Sequence, residues 1–219
     1  MPSVTLNEGV PLPLVDINGS ITGASLKSLN LKLYLEGLFD ISTGMMRETK
    51  DFTTSSPVFG NGIADQIMVS LKASSAPYNT LYNVTTANLK TDGTAMLYLP
   101  LNLNSSYYIV LSPRNGIETW SSIPITFSAS AISYNFSDQA EKSYGSNTKP
   151  ISDKYCLVSG DVNKDGFLDA MDLIHVDNAS AGYQYGYLVT DLNGDGIVDD
   201  SDLEIVKSNV VNFVSVKRP

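Results

Sequence analysis

Two acidic stretches carry the residues best suited to chemistry. DVNKDGFLDAMD, residues 161–172, and DLNGDGIVDDSD, residues 191–202, match position for position at a constant offset of 30 residues. Asp, Asn and Asp at positions 1, 3 and 5 are followed by Gly at 6 and Asp at 9 and 12. A hard divalent cation such as calcium takes about six to eight oxygens, and a twelve-residue loop offers them from positions 1, 3, 5, 7, 9 and 12 around a glycine turn. Asp161, Asn163, Asp165, the carbonyl of Phe167, Asp169 and Asp172 fill that list. Asp191, Asn193, Asp195, the carbonyl of Ile197, Asp199 and Asp202 fill it again. The spacing therefore predicts two calcium ions. An acidic turn that merely solvates is the alternative, but four or five carboxylates within twelve residues repel one another unless a cation screens them.

The elements that would position these loops are short. The residues entering each loop, SG and VT, carry no helical pattern, whereas the residues after each acidic run place Leu173, Ile174, Val176 and Leu203, Ile205, Val206 on an apolar helical stripe. An EF-hand has an entering helix and closes with Glu, so a loop followed by a helix, closed by Asp, is a different unit. Leu168 and Val198, apolar at position 8, let the two loops pack side by side. A segment of this size has little core of its own, and ion binding becomes folding energy.

At these residues the chain resembles the type I dockerin, in which two such loop–helix repeats are related by a pseudo-twofold. The resemblance covers about residues 155–219. It implies a small calcium-folded α-helical domain of a secreted or cell-surface bacterial protein, docking on a cohesin-like partner or a neighbouring domain. Loop positions 10 and 11, where dockerins commonly carry a small hydroxyl pair for partner recognition, hold Ala170 and Met171 in one repeat and Asp200 and Ser201 in the other.

The rest of the chain reads differently. Residues 1–150 hold 11 acids against 9 bases, and residues 151–219 hold 12 against 5, so most of the net charge of -9 belongs to the C-terminal part. LNLKLYLEG alternates Leu29, Leu31, Leu33 and Leu35 with Asn30, Lys32, Tyr34 and Glu36, the period of a strand with one wet face. Further short apolar runs begin at Gln66, Thr94, Ser106 and Ser122, bounded by Gly, Pro, Asn or Asp. These features predict a mainly β fold: an antiparallel β-sandwich, immunoglobulin-like or transthyretin-like, over residues 1–136. A polar linker over 137–154 and a dockerin-like domain over 155–219 follow. The turn Asp92-Gly93 resembles that of transthyretin-like or Cna-B-like sandwiches.

Other chemistry finds little support. The acidic balance lacks the basic patch that nucleic acids need, no apolar run approaches the roughly 18 residues of a membrane span, and MPSVTLNEGVPLPLVDING lacks a leader pattern. One cysteine, Cys156, permits no intrachain disulfide and reads as a small buried hydrophobe. His175 reads as a helix-surface residue, and Glu36, Glu48 and Glu118 are not brought together by any pattern. Trp120 with Tyr34, Tyr107 and Tyr108 suggests either core packing or a sugar-stacking face, and Tyr183, Tyr185 and Tyr187 line one side of a short extended segment. The reading is a non-catalytic calcium-binding assembly module, extracellular or at the cell surface. Its alternative is a carbohydrate-binding module whose sandwich face takes a glycan.

Overall fold

A computed structural model describes residues 14–15, 21–22 and 26–219; the remainder of the expected 1–136 sandwich lies outside the described residues. The chain is mainly β, followed by a two-helix unit. β1 (Leu14–Val15) and β2 (Ile21–Thr22) pair with each other. β3 (Leu26–Lys32) buries alternate residues as its pattern predicts. After β3 the chain leaves the sheet for the short hairpin of β4 (Phe39–Asp40) and β5 (Met45–Met46). Then come β6 (Ile63–Ala73), β7 (Thr80–Lys90), β8 (Thr94–Pro100), β9 (Ser106–Pro113), β10 (Thr119–Trp120), β11 (Ile125–Thr126) and β12 (Ala131–Asn135).

These strands form one hydrogen-bonded sheet in the order β10-β9-β6-β7-β8-β3-β12, with β11 also on β9. Every pairing is antiparallel except β3 with β12. The two eleven-residue strands, β6 and β7, shift register between Ile63 and Asp65 and again between Val69 and Lys72. Such irregularities bend a strand, and the sheet curls around a single core that includes Leu29, Leu31, Ile67, Leu71, Leu97, Ile109 and Phe127. Lys27 also points inward and is 1% exposed; its ammonium meets the carbonyls of Leu103 and Phe127 and the Asn104 amide oxygen, so the buried charge is fully hydrogen-bonded.

Two local expectations are corrected. The alternation from Leu29 stops at Lys32: Tyr34 and Glu36, read as wet-face residues, are buried at 3% and 9% exposure. Past β3 the backbone no longer lies in the sheet but bridges Leu35 to Leu157 and turns through Glu36–Leu38, so both faces are covered. The run from Ser122 contributes only Ile125–Thr126 to the sheet.

Residues 137–154 carry two 3-10 turns, Ala140–Lys142 and Tyr144–Ser146, and the start of a hairpin, β13 (Lys149–Ile151) with β14 (Lys154–Cys156). Ser122 N donates to Lys142 O, and Tyr155 N to Ser137 O. Beyond them lie α1 (Ala170–Ala181) and α2 (Asp200–Val210), which pack through Val176, Ala179, Leu203 and Val206 over Leu168, Leu192 and Val198. Among the described residues no helix is long and apolar enough to cross a membrane.

Candidate metal centre

Each acidic loop is continuous with the helix it precedes. Asp169 and Asp199 are N-caps: their carboxylates accept from Met171 N and Ser201 N, each at 2.8 Å. Asp172 and Asp202, three residues later, reach back to the N-cap amides at 3.1 and 3.0 Å, completing a capping box made with Asp. The other oxygen of Asp172 accepts from Val162 N and Asn163 N at 3.0 and 3.3 Å, and that of Asp202 from Leu192 N and Asn193 N at 2.7 and 3.0 Å. The position-12 aspartate thus ties the start of its loop to the first turn of its helix, which the shorter side chain of Asp does at close range.

Positions 3 and 5 repeat one another as well. Asn163 Oδ1 accepts from Asp165 N at 2.9 Å and Asp165 Oδ1 from Phe167 N at 2.9 Å; Asn193 and Asp195 do the same at 2.8 and 2.9 Å. Asp161 and Asp191, at position 1, lie almost wholly buried. Burial pushes the Asp161 carboxyl up to about 6 against the nearby Lys164, and Asp191 up to about 7 against the Arg114 guanidinium. Asp172 and Asp202 are raised by burial too, against the amides they accept.

Among the described residues no group of three or more His, Cys, Asp or Glu side chains gathers into a cage. The loops instead offer mixed donors: carboxylates, an Asn amide oxygen and a backbone carbonyl, the oxygen chemistry that calcium takes. The fit is marked by Asp161 Oδ1, which is buried and meets no hydrogen-bond donor. An orphaned carboxylate oxygen is costly to bury, and a cation in the loop would satisfy it.

The repeats also clasp one another. Leu168 N donates to Val214 O and Val216 N to Gly166 O, so the tail after α2 pairs with the first loop. Val198 N donates to Gln184 O and Gly186 N to Gly196 O, so the tail after α1 pairs with the second. Residues 184 and 214, and 186 and 216, preserve the 30-residue offset, carrying the duplication past the helices.

The β-module packs tightly against this unit. Glu36 accepts from Ser159 N at 2.9 Å and Asn209 Nδ2 at 2.7 Å and pairs with Lys149. The turn between β9 and β10 reaches between the two loops. Gly160 N donates to Asn115 O, Ile117 N to Val158 O, and Lys164 Nζ to the carbonyls of Pro113 and Gly116. Arg114 pairs with Asp65 at 3.3 Å and lies 4.3 Å over the Tyr187 ring, whose hydroxyl donates to Asp65 at 2.6 Å. Tyr185 meets Phe52 and Tyr187 meets Phe59, while Tyr183 is 86% exposed. Sequence reading did not single out Asn115, Arg114, Asp65 or Gly37, because no local motif marks them.

The remaining candidates resolve locally. Trp120 is 4% exposed, enclosed by Tyr78, Tyr108 and Tyr144, with its indole N–H on Glu118, and presents no open ring face to a sugar. Tyr34 and Tyr107 are buried in the main core. Cys156 is wholly buried and burial pushes its thiol up to about 12, which suppresses the thiolate. His175 is exposed on α1. Glu48 accepts from Gly62 N and Glu118 pairs with Arg218.

Residues 159–211 match the type I dockerin domain family. No curated protein matches the chain significantly. Two solved structures from Acetivibrio cellulolyticus are similar. One is a C-terminal interface mutant of a type II cohesin–X-dockerin complex, at 13% identity and TM-score 0.47; the other is an N-terminal interface mutant of that complex, at 14% and 0.46. Each match covers 83% of this chain and 94% of the other. Calcium is the ion that type I dockerins typically bind. Residues 159–211 form a type I dockerin domain that follows a β-rich module.

Proposed function

We propose that the chain is a non-catalytic assembly module of an extracellular bacterial protein, whose dockerin domain is folded by two calcium ions and docks on a cohesin-like partner. The β-module of residues 1–136, the connecting stretch 137–154 and the domain 155–219 are its parts. The observation that carries this reading is the duplicated loop in which the position-1 aspartate is buried and Asp161 Oδ1 meets no donor. Asp161, Asn163, Asp165, the Phe167 carbonyl, Asp169 and Asp172 would hold one ion; Asp191, Asn193, Asp195, the Ile197 carbonyl, Asp199 and Asp202 would hold the other. Bound calcium supplies the positive charge that lets these carboxylates stay ionised at close range, and so converts binding into folding energy.

Positions 10 and 11 support the docking role. Ala170 and Met171, and Asp200 and Ser201, are all exposed on the first turns of the helices, and Ile174 continues the exposed stripe of α1 at 48%. One repeat therefore shows an apolar face and the other a polar one, so the two faces of the pseudo-twofold are not interchangeable to a partner.

Calorimetric titration of calcium into the chelator-stripped chain, with thermal melts, tests the reading. Two sites and a large rise in melting temperature are expected, together with capture of a cohesin domain in calcium but not in chelator. Calcium-dependent melting retained by the double variant Asp161→Ala, Asp191→Ala would overturn the ligand assignment.

A further inference from the structure

The two loops are close to a controlled comparison. Their candidate ligand side chains are identical at positions 1, 3, 5, 9 and 12, both helices are capped in the same way, and each loop is clasped by the tail of the other repeat. What differs is the β-module. Asn115 Nδ2 donates to the backbone carbonyl of Asp191 at 2.9 Å, a buried bond spanning 76 residues. Lys50 N donates to Gly194 O at 2.8 Å. Gly37 lies so close to Leu192 that a Cβ there would sit 2.0 Å from its carbonyl oxygen, while Gly194 and Gly196 lie against Leu38, Thr49 and Lys50. Asp191, Leu192, Asn193 and Gly194 are consequently all buried. Within this loop Asp191 already accepts from Gly194 N and Gly196 N, at 2.8 and 3.2 Å.

The first loop is supported at its entrance and not along its backbone: Asn115 O accepts from Gly160 N and Ile117 N donates to Val158 O just before it. Asn163, Lys164 and Asp165 are exposed, and among the described residues no backbone amide or carbonyl of residues 161–172 bonds to the β-module. The module holds only a side chain there, Lys164 Nζ on Pro113 O and Gly116 O. A cleft of about 410 Å³ lined by Met46, Arg47 and Lys50 on one side and Asn193 and Asp195 on the other keeps the second loop open to solvent, so burial does not bar an ion.

We infer that the β-module is a positioning device for the second calcium loop: Asn115 and the Gly37–Lys50 surface hold its backbone in the liganding conformation before an ion arrives, so the second site binds calcium more tightly than the first. The physical basis is preorganisation. A loop already ordered by its neighbours loses less conformational freedom on binding than a loop that the ion alone must order. The two sites then fill in sequence, the second loop first, and the first loop is the one that answers to changes in calcium concentration.

This inference rests on the calcium reading above, and its test separates the two. Calcium titration of the chelator-stripped full chain should resolve two affinities differing by about tenfold or more. Asp161→Ala should remove the weaker site and keep the tighter. Asn115→Ala should weaken the tighter site by about three- to tenfold and leave the other unchanged, with the near-ultraviolet signal of the buried Trp120 confirming that the β-module stays folded. As a measurement free of substitutions, amide exchange in chelator should show Gly194 and Gly196 protected and their equivalents Lys164 and Gly166 exchanging fast. Two equal sites, equal exchange in both loops, or equal weakening of both sites by Asn115→Ala would overturn the inference and leave the calcium reading standing. Absence of any calcium binding would overturn both.

Discussion

At the scale of single residues, the candidate ligands were legible and their supports were not. A twelve-residue loop is written locally, so Asp161 to Asp172 and Asp191 to Asp202 can be read from spacing alone. Gly37 shows the opposite case. It precedes the second loop by more than 150 residues, nothing around it in the sequence marks it, and its role appears only when Leu192 O is found where its side chain would be. Gly37→Ala is therefore expected to destabilise the whole chain by about 1–3 kcal/mol, the range of overpacking in a well-packed contact. The neighbour is a backbone oxygen held by the loop rather than a flexible side-chain end. A thermal melt in calcium should show a fall of several degrees. An unchanged melting temperature would mean that the module contact yields without cost.

At the scale of elements, the duplication reaches further than the acidic motif suggests. The tails Gln184–Gly186 and Val214–Val216 carry no shared residue types, which hides their equivalence in the sequence, yet both pair with positions 6 and 8 of the opposite loop. The equivalence lies in backbone hydrogen bonds, which composition does not record. The strand run from Ser122 failed for a related reason: its apolar residues follow the period of a strand, but of the whole run only Ile125 and Thr126 find a partner edge on β9. Because Val214–Val216 belongs to the first loop, removal of residues 214–219 takes away Leu168 N to Val214 O and Val216 N to Gly166 O, two bonds with a net value of about 1 kcal/mol each. The truncated chain should bind calcium at its first loop about thirtyfold more weakly while its second loop is little affected. Titration against the full chain reads this directly. Equal loss at both loops would show that the tail supports the domain as a whole and not one loop.

At the scale of the molecule, the two modules have separate cores joined by a seam of buried polar groups and a few aromatic contacts, and this arrangement dictates how they unfold. The β core is built from its own strands, with Cys156 and Leu157 added at its edge, and among the described residues the dockerin core receives only Ile117 from the β side. Between them lie Glu36 with Lys149, Ser159 N and Asn209, and Asp65 with Arg114 and Tyr187. Loss of the dockerin side takes Ser159 N and Asn209 Nδ2 from Glu36 and the Tyr187 hydroxyl from Asp65, hydrogen bonds to buried charges worth about 1.5–3 kcal/mol each, so neither module should lose its fold in calcium without disturbing the other. In calcium, a single calorimetric transition is expected, coincident with the loss of Trp120 fluorescence. In chelator the dockerin domain loses the ions that offset its carboxylate repulsion and should melt first. The β-module keeps its own core and should follow in a second transition. That second transition, reported by Trp120, should lie below the single one seen in calcium, because Glu36 and Asp65 have by then lost their partners across the seam. A Trp120 transition at the same temperature with and without calcium would show that the seam carries no coupling, and that the β-module supports the second loop without drawing stability from it.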